Sequence, residues 1–195
     1  GGWDTGSSAA VDEVYSSTDG ITWTQVTASA AFGNRYAHRC VVFEGKMWLI
    51  AGNDGTGKRN DVWYSTNGIT WTQATSNAGF TAREGFVAFV YSGKMWVIGG
   101  GSSIGALNDV WSSPDGVTWS QVTADGGFSG QLGDGPAGVV FNSKMWIFGG
   151  AGSGCLNPVW YSTDGSSWTQ TTANAPYGSR HSPEAVVYRG KMVIS

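Results

Sequence analysis

The residues best equipped for chemistry lie in four short segments at corresponding places along the chain. They read Arg35-Tyr36-Ala37-His38-Arg39, Arg83-Glu84-Gly85-Phe86, Gln131-Leu132-Gly133-Asp134 and Arg180-His181-Ser182-Pro183-Glu184. Brought to one mouth they would collect three arginines from the leading position, two histidines and three carboxylates. A guanidinium presents a planar fork of donors that suits a carboxylate, sulfate or phosphate. One Arg per segment has a structural reading too, as a ligand for backbone carbonyls or for an acid such as Glu84 or Glu184. The residues that vary between segments, Tyr36, His38, Arg39, Phe86, Asp134 and His181, are the better candidates for a specific site. A second set, Trp3, Asp4, Asn53, Asp54, Lys58 and Arg59, falls in loops expected around the rim.

These segments recur because the chain repeats. The tryptophan after an Asp-Gly or Asn-Gly turn stands at Trp23, Trp71, Trp119 and Trp168, in steps of 48, 48 and 49 residues. A period of that size marks units that cannot bury their own apolar faces alone. In the best-formed repeat, Gly85 to Tyr91 predicts strand A, Lys94 to Ile98 strand B, Asp109 to Ser112 strand C and Val117 to Val122 strand D. Four short antiparallel strands with one aromatic-glycine motif per unit predict an all-β propeller blade. Aromatics at fixed places, such as Trp48, Trp96 and Trp146, are expected to pack between blades rather than to bind a sugar. Strand direction puts the D-to-A and B-to-C loops on one face, where the repeats differ most.

Composition bounds the partners. The net charge of -3 and pI near 5.2 argue against nucleic acid or an anionic membrane, which need a basic face. No apolar run approaches the roughly 20 residues of a membrane-spanning helix. No leader-type segment opens the chain, and Gly1 in place of Met suits a processed product or an excised domain. Low charge with much Ser and Thr points to a secreted or cell-surface setting. Cys40 and Cys155 fall in different repeats, and no disulfide between them is expected.

The repeat resembles the kelch repeat. Gly99-Gly100 and Gly149-Gly150 match the family's glycine pair after the second strand, with Ala51-Gly52 a variant. Arg35, Arg83 and Arg180 match its Arg before the next blade, where Gln131 departs from the pattern. Arg35 and His38 keep the family's Arg-x-x-His spacing. A second resemblance is to the Asp box of sialidase-type propellers, at Ser17 to Trp23, Ser65 to Trp71, Ser113 to Trp119 and Ser162 to Trp168. Each copy lacks one residue between Asp and Gly, and Asn67 replaces the Asp in one. The resemblance implies a turn between strands C and D, remote from any active site.

Residues 1–195 are expected to form a single propeller of four blades, with repeats of about 48–50 residues. Lys191 to Ser195 continued into Gly1-Gly2 aligns with Lys94 to Gly100. Strands C and D of a closing blade would then lie within 1–27 and strands A and B within 184–195. A closed monomeric ring is the first expectation. Two chains sharing an eight-bladed ring, or a segment of a longer propeller, are the alternatives.

The expected function is non-enzymatic binding of a protein or a glycan at the channel mouth, without metal or cofactor and with no catalytic residue assigned. The alternatives are a sialidase-type hydrolase and a propeller segment with a structural role only. The hydrolase would use the arginine trio on a carboxylate, Tyr36 as nucleophile, Glu84 as its base and Asp134 as acid. A copper oxidase needs Tyr and His ligands with a Tyr–Cys crosslink, and Cys40, inside strand A, is badly placed for one. Zinc-ligand spacing, phosphate-binding loops and a Gly-x-Ser-x-Gly elbow are missing from the sequence.

Overall fold

The computed structural model describes residues 1–128, 135–149, 157–177 and 182–195. Every regular element among them is a strand, and the strands that pair do so antiparallel with a neighbour in sequence. The first unit comprises β1 (Gly2–Asp4), β2 (Ala9–Val11), β3 (Val14–Ser16) and β4 (Thr24–Thr27), paired as β1–β2 and β3–β4. Three complete four-stranded sheets follow. The second unit has β5 (Arg39–Phe43), β6 (Lys46–Asn53), β7 (Lys58–Ser65) and β8 (Thr72–Thr75). The third has β9 (Val87–Tyr91), β10 (Lys94–Ser102), β11 (Gly105–Ser113) and β12 (Ser120–Thr123). The fourth has β13 (Ala137–Phe141), β14 (Lys144–Phe148), β15 (Val159–Ser162) and β16 (Thr169–Thr172). A separate hairpin, β17 (Ala185–Tyr188) and β18 (Lys191–Ile194), ends the chain. The order within each complete sheet is the simple meander of a propeller blade.

Local chemistry fixes the turns. In the three complete sheets and the C-terminal hairpin, the first two strands are joined by two residues that both have positive φ: Glu44-Gly45, Ser92-Gly93, Asn142-Ser143 and Arg189-Gly190. That backbone matches the right-handed strand twist and makes a tight hairpin. Between the third and fourth strands a Ser and an Asp or Asn side chain replace main-chain partners. Ser113 Oγ accepts Gly116 N–H at 2.8 Å, and Asp115 Oδ1 accepts the Val117 and Thr118 amides at 2.8 and 2.7 Å. Those amides are therefore withdrawn from the ladder, and β12 begins at Ser120 rather than at Val117. At the equivalent Asp19, the Thr22 and Ile21 amides and the Ser17 hydroxyl hold the carboxyl down at a pKa of about 2.

The second and third strands run further than the sequence pattern suggests. A bulge between Ile98 and Gly100 carries β10 past the glycine pair to Ser102. Gly100 (φ +95°) is required twice over, because a Cβ there would lie 2.7 Å from the Phe86 Cβ.

Units pack face to face. Phe43, Trp48, Ile50 and Val62 of the second unit bury Phe86, Met95, Val97 and Trp119 of the third. Val87, Phe89, Trp96 and Ile98 of the third bury Met145 and Ile147 of the fourth. Trp48 lies over Gly116, and Trp96 over Gly165, so closely that a Cβ on either glycine would be 2.1 Å from the indole. The expected packing role of these tryptophans is thus what the structure shows.

The first strands of successive sheets, β5, β9, β13 and β17, contact one another in succession. The two pieces expected to share a closing blade lie in different sheets, β3–β4 and β17–β18.

Candidate binding face

The loops leading into β5 and β9 lie against the β6–β7 and β10–β11 hairpins. Tyr36 and Asn53 exchange backbone hydrogen bonds at 2.9 Å each, and Glu84 does the same with Gly101 at 3.0 and 2.9 Å. Successive loops are also tied to one another by main chain. Gly85 N–H donates to Ala37 O at 3.0 Å, and Gly135 N–H to Gly85 O at 2.9 Å.

The arginines point inward. Arg83 is fully buried and forks onto Asp109 at 2.7 and 2.9 Å, with further bonds to Gly99 O at 2.9 Å and Thr81 O at 3.0 Å. Arg35 repeats this with Asp61 at 2.9 and 3.0 Å and Ala51 O at 3.1 Å, and it also donates to Phe32 O. The guanidinium carbons sit 5.7 Å from the Phe32 ring centroid and 5.1 Å from that of Phe80. Both donors are spent on the fold, so neither Arg35 nor Arg83 is free to grip an anion, and their acids are Asp61 and Asp109 rather than Glu84 or Glu184. The sequence carried a signal for this pairing: Asp follows Arg by 26 residues in both repeats, and where Gln131 replaces the Arg, Pro158 replaces the Asp. Phe86 is also withdrawn from the candidates, being 0% exposed between units.

Three candidates line the axial cavity, of about 380 Å³: His38, Arg39 and Glu184. The small residues Ala88, Ala137 and Gly138 complete its wall. Arg39 Nε donates to Phe86 O at 2.9 Å. Burial, then the N-terminal amine, Arg35 and Arg39, push the His38 pKa down to about 4. Its Nδ1 is buried without a partner, so the ring is neutral at pH 7.

The rim candidates form a continuous stripe. Trp3, 52% exposed, meets Tyr36 edge to face at 5.2 Å. Asn53 Nδ2 donates to Glu84 Oε2 at 2.8 Å, and Lys58 Nζ lies 3.1 Å from Glu84 Oε1 and 3.1 Å from Ser102 O. Burial and the charge of Glu84 raise the Tyr36 pKa, so its hydroxyl keeps its proton. Asp4 and Asp54 have local duties. Asp4 accepts the Gly6 and Ser7 amides at 3.0 Å each. Asp54 accepts those of Thr56 and Gly57 at 2.9 Å each and pairs with Arg59. Gln131, Asp134, Arg180 and His181 lie outside the described residues. Among the described residues, no group of three or more His, Cys, Asp and Glu side chains is placed to hold a metal ion, and Cys40 is a free thiol.

The family described as the KLHDC2/KLHL20/DRC7 Kelch-repeats domain matches residues 1–195. The solved structure of YjhT superposes with a TM-score of 0.75 at 16% identity, over 94% of this chain and 66% of that one. The chain thus spans about two thirds of YjhT. No curated protein matches it.

Proposed function

The chain belongs to the kelch-repeat family, and on that premise we propose that it is a protein-interaction module. Its ligand lies across the rim of Trp3, Tyr36, Asn53, Lys58 and Glu84. The observation that carries this reading is the stripe itself: an exposed Trp3 against a half-buried Tyr36, beside a hydrogen-bonded Asn–Glu–Lys set, spread over three consecutive units. Backbone ladders hold each hairpin before any ligand arrives, which lowers the entropic cost of binding. Tyr and Trp at such a place supply contact area with few rotors to freeze, and both are enriched at protein interfaces.

The test is selection from a displayed random-peptide library, with a glycan array screened in parallel. Selected peptides should lose about tenfold or more in affinity to the Trp3→Ala/Tyr36→Ala variant, which keeps its unfolding midpoint. Undiminished binding to that variant, or binding to glycans alone, would overturn the assignment.

A further inference from the structure

Among the described residues, three β-hairpins border the rim, and their tips differ in chemistry. In the first unit β1–β2 turns through Thr5-Gly6-Ser7-Ser8, and in the second β6–β7 turns through Asp54-Gly55-Thr56-Gly57. Both tips are made of the glycine and polar residues that turns favour. In the third unit Ser102 pairs with Gly105, so Ser103 and Ile104 make the whole turn. Ile104 is 87% exposed. Turn chemistry gives no reason for a β-branched apolar residue at such a place. Its backbone is nonetheless fixed, because Ser102 Oγ accepts the Ile104 amide at 3.3 Å and donates to Gly105 O at 2.8 Å.

The charges along the rim are already engaged. Glu84 spends one carboxylate oxygen on Lys58 at 3.1 Å and the other on Asn53 Nδ2 at 2.8 Å. Arg59 pairs with Asp54, and Asp4 takes the Gly6 and Ser7 amides and the Ser7 hydroxyl. A charged group arriving on this face would have to break one of these contacts. The large apolar side chains exposed in the three hairpins are Trp3 and Ile104. They belong to the first and third units, with Asn53 and Lys58 of the second between them.

We propose that the partner of this rim is a peptide segment with two apolar side chains separated by uncharged polar residues, one packing on Trp3 and the other on Ile104. This partner rests on the rim reading above, to which Ile104 is the new element. With the ion pairs kept, the driving force is apolar area removed from water at the two ends. Both ends are held by main-chain ladders, so little order has to be created when they are covered. The middle of the segment crosses a supply of donors. An ammonium has three N–H groups, and Lys58 directs two of its own to Glu84 and Ser102 O. The third, and the second hydrogen on Asn53 Nδ2, are left for carbonyl oxygens, of which a peptide backbone has one per residue. The Glu84 charge beside them turns away a carboxylate, and both of its oxygens are already taken where a cation would approach.

The probes are the peptides selected from the displayed library. They should carry two apolar residues with uncharged polar residues between them. Their dissociation constants should stay within about twofold from low to high salt, since no ion pair forms with the rim. Ile104→Ser should weaken them about tenfold, and Ile104→Leu should bind as the parent does. Both substitutions sit at an exposed turn and should leave the unfolding midpoint in place. Undiminished binding to Ile104→Ser, or affinity that falls steeply with salt, would overturn the proposal. If the Trp3→Ala/Tyr36→Ala variant still loses the peptides in that case, the rim reading stands without it. An empty selection, or equal binding by the Trp3→Ala/Tyr36→Ala variant, removes the rim reading and this partner together.

Discussion

The contact between the second and third units and the groove ahead of the second unit are built on the same strand positions and end in opposite states. Met95 and Val97 are completely buried by the strands before them, whereas Met47 looks into an open groove. Asp109 receives the full fork of Arg83 and the Trp111 indole at 2.7 Å. At the same place in the first unit, among the described residues, the Glu13 carboxylate accepts the Tyr15 hydroxyl at 3.2 Å. The lesson is that a unit's apolar face is completed by the unit in front and its buried acid by the loop that leads into it, so stability resides in interfaces as much as in sheets.

The sharpest way to break the comparison is Arg83→Ala. It strands Asp109 in a buried site and should cost about 3–5 kcal/mol in urea unfolding. Glu13→Gln should stay within about 0.5 kcal/mol. An equal loss at both sites would mean that the first unit is already completed by an arginine. Arg83→Met with Asp109→Leu should recover most of the loss, because it leaves no unpaired charge.

A smaller contrast comes from two glycines with the same φ of +76°. Gly68→Ala and Gly116→Ala share the left-handed penalty of about 1 kcal/mol. Gly116→Ala should add about 1–3 kcal/mol by forcing Trp48 aside. Equal unfolding midpoints would show that the indole yields freely.

A further contrast concerns acid. His38 titrates near 4 in the folded chain, below its ordinary 6.5. Between those values the unfolded chain binds the extra proton, so stability falls as pH drops from 6.5 and levels off below about 4. His38→Gln should flatten that limb of the stability profile. An unchanged slope would assign the acid sensitivity to the carboxylates instead.

What was legible in the sequence is what short-range chemistry decides. Ser-Asp-Gly turns and two-residue Gly turns announce themselves, and through them so do the strands and the kelch-type propeller fold. The β10–β11 hairpin was read too short because Gly99-Gly100 signals an end, although φ values of +61° and +95° let the ladder resume after a bulge. Arg35 and Arg83 were placed in the right loops but aimed at a ligand, since their true acceptors lie in a strand 26 residues on. Glu84 was taken for an arginine's partner, and its Lys58 sits across a hairpin that only the fold brings near. Closure was expected from the gapless join of Lys191–Ser195 to Gly1-Gly2, and β3–β4 and β17–β18 stand as separate sheets. Closure depends on the turn per unit summed over every interface, and no single residue encodes a sum.

The main-chain links from Ala37 to Gly85 and from Gly85 to Gly135 have a consequence for heredity. Side chains at the axis such as Arg39 can be exchanged without touching these peptide groups, whereas Gly85 and Gly135, at φ +58° and +64°, must be inherited as glycine.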